Sequence, residues 1–134
     1  MKKLVVVLGI VLVNSFNTFS QQIDIHVTRV SLNKIILEVN SQYSIDLDNN
    51  IVNFKCLSDG TNINRNIISK SEKNGVITIV IDDESRFDSN VKLKPILKIN
   101  KNNNKVTYSS LEDGENYIYK FVEFTLNINK IITN

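Results

Sequence analysis

The chain has no tryptophan and no alanine, and it carries one cysteine, one proline and one histidine. A single cysteine excludes an intrachain disulfide and every multi-cysteine zinc or iron–sulfur site. A single histidine excludes His-rich metal centres. The missing alanine, set against 19 Ile, weighs against helices. Alanine is the best helix former, while β-branched residues favour strands. No Gly-x-Ser-x-Gly motif occurs, and the Ser residues sit mainly in turns, so a nucleophile elbow is excluded. An excess of charge of one sign is also lacking. Lys and Arg total 16 against 14 Asp and Glu, and the difference of two is Lys2 and Lys3. From residue 21 onward the charges balance, so the chain lacks the basic field of a generic nucleic-acid binder.

What is present is a 134-residue chain that is 42% apolar and 22% charged. That is one domain's length with enough apolar content to pack a core. The 20 Asn, 19 Ile and 13 Lys all have AT-rich codons, so a low-GC genome accounts for the asparagine without a functional reading.

The N-terminus reads as a removable export signal over residues 1–20. Met1-Lys2-Lys3 is a short basic start, Leu4 to Val13 is an uncharged apolar run, and Asn14 to Ser20 is a polar tail. Thr18 and Ser20 take the −3 and −1 positions for a cut before Gln21. The apolar run is too short to span a bilayer, which needs about 20 residues. The only cysteine lies far downstream at Cys56, so a lipoprotein signal is excluded. The expectation is export from a bacterial cytoplasm to the periplasm or beyond, with residues 21–134 as the working domain and no membrane span in it.

That domain is a series of short alternating segments. Ile23, Ile25 and Val27 alternate with Asp24, His26 and Thr28, and Val52, Phe54 and Cys56 alternate with Asn53 and Lys55. Ile35, Leu37 and Val39 form another such row, and Val91, Leu93, Leu97 and Ile99 a fourth. A period of two marks half-buried strands. Val76 to Ile81 is apolar on both faces apart from Thr78 and reads as a central strand, and Tyr117 to Ile128 as a long, bulged one. Asp59-Gly60, Asn74-Gly75, Asn100 to Asn104 and Glu112-Asp113-Gly114 read as turns. Seven to nine strands at this spacing predict an all-β domain, either an antiparallel β-sandwich or a small barrel.

The stretch from Val106 to Tyr117 resembles the corner between strands E and F of fibronectin type III and related immunoglobulin-like domains. Leu111, Gly114 and Tyr117 match that family's Leu-x-Pro-Gly-x-x-Tyr pattern, with Asp113 where Pro is usual. The resemblance implies a sandwich, with the Tyr117 hydroxyl bonded to backbone near the corner and Leu111 and Gly114 as structural residues.

Five features could carry chemistry. Asp82, Asp83, Glu84 and Asp88 form an oxygen-rich loop that could hold calcium, the one cofactor to consider; a solvated turn is the competing account. Asp46-x-Asp48-x-Asn50 begins like a calcium loop, but Ile51 and Leu57 stand where an EF-hand needs Gly and Glu. His26 with Asp24 could act as a general base, against a plain strand-surface histidine. Lys92, Lys94 and Lys98 share one face and could bind a polyanion such as an acidic polysaccharide. Lysines beside Pro95 equally mark a protected edge strand. Cys56 falls on the apolar side of its strand, where a thiol is a shielded small hydrophobe. The first functional expectation is therefore a non-catalytic exported sandwich that binds an envelope or extracellular protein. The alternatives are a small hydrolytic or metal-dependent enzyme using the Asp82–Asp88 loop, and a small-ligand carrier if the strands close into a barrel.

Overall fold

A computed structural model of the protein describes residues 19–83, 93–112 and 114–132. Residues 1–18, most of the expected leader, lie outside the described residues, as do Glu84, Asp88 and Lys92. Eight antiparallel strands follow one another: β1 (Phe19–Leu32), β2 (Ile35–Asp46), β3 (Ile51–Cys56), β4 (Thr61–Lys73), β5 (Val76–Ile81), β6 (Ile96–Asn100), β7 (Lys105–Glu112) and β8 (Glu115–Ile132). Each pairs with the next, and β8 pairs back onto β1, so the sheet is a closed up-and-down barrel. The expected sandwich is thereby corrected. The closing ladder sets Ile23 opposite Ile128, Ile25 opposite Leu126 and Val27 opposite Phe124, with its register shifting at Arg29. Two stacked sheets and a closed barrel demand the same local pattern, one face in and one face out, and only this long-range ladder separates them.

Turn chemistry works as read. Asn74 and Gly75 both have positive φ between β4 and β5. A Cβ on Gly75 would sit 2.6 Å from Asn102 Nδ2, the atom that donates to the Asn74 carbonyl at 2.7 Å. Glycine there lets two turns of the same barrel end touch. The Leu111–Tyr117 stretch forms the β7–β8 hairpin, with Ser110 opposite Tyr117 and Glu112 opposite Glu115. Both of its arms belong to one ladder. The segment 91–99 was expected to be one strand, but β6 begins only at Ile96. It pairs on both sides, with β5 and with β7, so it is not an edge and Lys98, the lysine it carries, protects none. Pro95 lies buried just before it, and its carbonyl accepts from Ile81 N at 2.8 Å.

Inward side chains change character along the barrel axis. At one end the cross-strand rows are aliphatic: Ile23, Ile45 and Val52 on one side, Ile77, Ile99 and Val106 on the other, all buried. The next rows turn aromatic, with Ile25 leading to Tyr43 and Phe54, and Ile79 and Leu97 leading to Tyr108 and Tyr119. Beyond them come Val27 beside Ser41, and Ser110 beside Tyr117. Outward positions are mostly polar, as with Asp24, His26, Asn53, Asn62, Asn64 and Asn127. A membrane barrel carries an apolar band on that outer face. No helix among the described residues is long and apolar enough to cross a membrane.

Candidate ligand cavity

An eight-stranded barrel has an interior just wide enough to be filled by side chains or to hold one small ligand. Here the aliphatic end is packed with buried side chains, and the aromatic end lines a cavity of about 540 Å³ that is partly open to solvent. Drug-sized ligand pockets span roughly 300–1,000 Å³. Strands β1 and β2 contribute Val27, Val30, Leu37 and Val39 to the wall; β4 and β5 add Ile63 and Ile81. Tyr43, Phe54, Tyr108, Tyr119 and Phe121 supply the rings. The polar members are Ser41 and Ser110, both buried, the three tyrosines, and the pair Arg65 and Asp83.

Each of these arrives by strand register rather than by sequence proximity. Tyr43 faces inward because Ile45 does, two residues on. Cross-strand pairing sets it beside Phe54, with ring centroids 5.1 Å apart. Tyr43 also lies 5.8 Å from Phe121 and 6.1 Å from Tyr108. Burial holds the Tyr43 hydroxyl well above the usual phenol range, and neighbouring Tyr108 and Tyr119 push it further. It therefore stays protonated and neutral. Arg65 Nε donates to Asp83 Oδ1 at 2.8 Å where β4 and β5 reach the cavity. Nearby, Leu93 N donates to the Asp83 carbonyl at 3.0 Å and so joins the two ends of the β5–β6 connection.

The residues singled out in the sequence fall mostly elsewhere. Asp83 lines the cavity and is committed to Arg65, while the Asp82 backbone N–H donates to the Asn66 carbonyl at 2.9 Å. Among the described residues no three His, Cys, Asp or Glu groups gather as metal ligands. His26 Nε2 is hydrogen-bonded to Asn40 Oδ1 at 2.7 Å across to β2, and Asp24 accepts from Gln22 at 3.5 Å. The His26–Asp24 pairing is thus not the one these contacts make. Asp46 accepts from the backbone N–H groups of Asp48 and Asn49, both at 3.1 Å, so this carboxylate closes a turn. Lys94 and Lys98 are exposed. Cys56 keeps its alternation with Val52 and Phe54 but ends β3, so it is only half-buried, with Sγ 3.2 Å from Ser58 Oγ. The Tyr117 hydroxyl donates to Glu115 Oε2 at 3.1 Å, an exposed contact.

Sequence reasoning passed over Tyr43, Ser41, Arg65 and Ser110. One signal was available: Ser41, Tyr43 and Ile45 continue the period of two begun at Ile35, across a stretch whose polar residues hide it. No family model, curated protein or solved structure matches the chain.

Proposed function

We propose that the protein is a non-catalytic barrel that carries one small, largely apolar molecule in the cavity at its aromatic end. The observation that carries this reading is the 540 Å³ space itself, walled by aliphatic and aromatic side chains and dotted with a few hydroxyls. Apolar walls supply affinity through burial, and sparse polar groups supply orientation. The packed aliphatic end anchors the scaffold, so binding need not await folding. Joined to the leader expected at residues 1–20, the reading becomes an exported carrier. It would work in the periplasm or outside the cell and hand its ligand to envelope or extracellular proteins.

The test is titration with N-phenyl-1-naphthylamine, a neutral apolar probe whose fluorescence rises on leaving water. A saturable rise with one probe per chain is expected. Ser110→Phe places a ring in the cavity from its buried lining and should abolish the rise while the far-ultraviolet circular dichroism stays unchanged. A non-saturable response from native protein, or full binding by folded Ser110→Phe, would sink the carrier reading.

A further inference from the structure

We propose that the cavity selects neutral, ring-bearing molecules with a hydrogen-bonding atom and discriminates against anions such as fatty-acid carboxylates. This deepens the carrier reading and rests on it.

The rings argue for a flat guest. Phe54, Tyr43, Tyr108 and Tyr119 form a continuous chain of contacts at 5.1, 6.1 and 6.4 Å between centroids, and Phe121 joins it at 5.8 Å from Tyr43. The interplanar angles of these contacts run from 31° to 55°, so the wall offers both ring edges and tilted faces. Aromatic pairs favour such offset and tilted arrangements at centroid separations of roughly 4.5–7 Å. An aliphatic chain meets the same surface but gains only contact area.

The polar groups argue for a neutral guest that can hydrogen-bond. Ser41, Tyr43, Tyr108, Ser110 and Tyr119, the hydroxyl-bearing residues, all line the cavity. A purely hydrocarbon guest would displace water from such groups and return no hydrogen bond. Burial and the neighbouring phenols keep the Tyr43 hydroxyl protonated, so it can donate at any physiological pH. Charge is matched already. Arg65 and Asp83 are the charged residues of the described lining, and they hold each other at 2.8 Å. A carboxylate guest would compete with Asp83 for the Arg65 charge, add a second negative charge beside Asp83, or lodge among phenols, and an uncompensated buried charge is costly.

Isothermal titration calorimetry of the protein with 2-naphthol, 1-decanol and decanoate at neutral pH separates the possibilities. We expect 2-naphthol to bind one per chain, at least about tenfold more tightly than decanoate, since the carboxylate must be desolvated. Tyr43→Phe should weaken both hydroxyl-bearing guests, 2-naphthol and 1-decanol, by about threefold to tenfold, one net hydrogen bond. Should Tyr43→Phe fail to fold, Phe54→Leu serves instead and should weaken 2-naphthol more than 1-decanol. Decanoate or 1-decanol binding as tightly as 2-naphthol would overturn the selectivity and leave the carrier reading standing. If all three fail, along with N-phenyl-1-naphthylamine, the carrier reading falls with it.

Discussion

Asp46 shows how a residue that looks like a ligand can be a structural cap. It ends β2, and its carboxylate gathers two backbone N–H groups and the Asn49 side-chain amide, the last at 2.7 Å. Aspartate favours this position because its short side chain can satisfy turn N–H groups that no strand partner reaches. The Asn49 side chain, then the Asn49 backbone, hold Asp46 below the ordinary carboxylate range, with smaller help from Asp48 N–H and the Lys70 charge against slight burial. A carboxyl with a lowered folded-state pKa stabilises above its unfolded value of about 3.9, and that contribution fades as pH falls through the folded value. Asp46→Ala should therefore unfold at lower urea concentration than the parent at pH 7. The gap should narrow as the pH drops below about 4. A gap of constant size down to pH 2 would show that the carboxylate's charge is not what matters.

At the scale of elements, alternation is the organising quantity, and β5 tests it. Ile77, Ile79 and Ile81 are buried, whereas Val76, Thr78 and Val80 on the same strand are half-buried and face outward. Ile79 is wholly buried and pairs with Leu97, itself wholly buried. Ile79→Ala should cost about 2–5 kcal/mol, the range for large-to-small changes in a packed core. Val80→Thr keeps the shape on the outward face and should cost under about 1 kcal/mol. Urea midpoints measure both, and equal losses would contradict the inward–outward assignment. The strand missed by pattern is β4. Its first half does alternate, Ile63, Arg65 and Ile67 against Asn62, Asn64 and Asn66. Arg65 on the inward row and the register shift between Ile67 and Ser69 hide that period. A bulge inserts a residue, so the face reverses where a single-period reading expects it to continue. The shift between Val27 and Arg29 interrupts β1 in the same way.

The whole molecule depends on β1, the strand within which the expected cleavage point falls. Gln21 pairs with Lys130, and its carbonyl accepts from Leu47 N at 3.2 Å. The first buried core residue, Ile23, comes two positions later. A cut before Gln21 would therefore spare the buried row and remove only the outermost described pairings, Phe19 with Ile132 and Ser20 with Ile131. The prediction is that protein recovered from the periplasm or medium has the intact mass of residues 21–134. Full-length protein retained in the membrane fraction would count against export. Truncation further in, before Ile25, removes Ile23 from the closing ladder and should prevent a stable barrel.

Strand identity and turns are local properties, and the chain carries them openly. Positive φ is cheap only for glycine and asparagine, so Asn74-Gly75 and Asp59-Gly60 announce turns wherever they occur. Alternation of Ile and Val with polar residues is equally local, because successive side chains of a strand point to opposite faces. The all-β class, most strand positions and four turns follow from those two facts. Closure does not. It depends on Ile25 meeting Leu126, some hundred positions away, and on the stagger that lets β8 serve both β7 and β1. A sandwich needs the same alternation, so the one-dimensional pattern cannot separate the two. The cavity is one step further removed. Tyr43, Phe54, Tyr108 and Phe121 sit on four strands and become a site only through register. No spacing along the chain encodes the empty volume between them, because volume is set by the barrel's cross-section and by side chains converging from opposite walls.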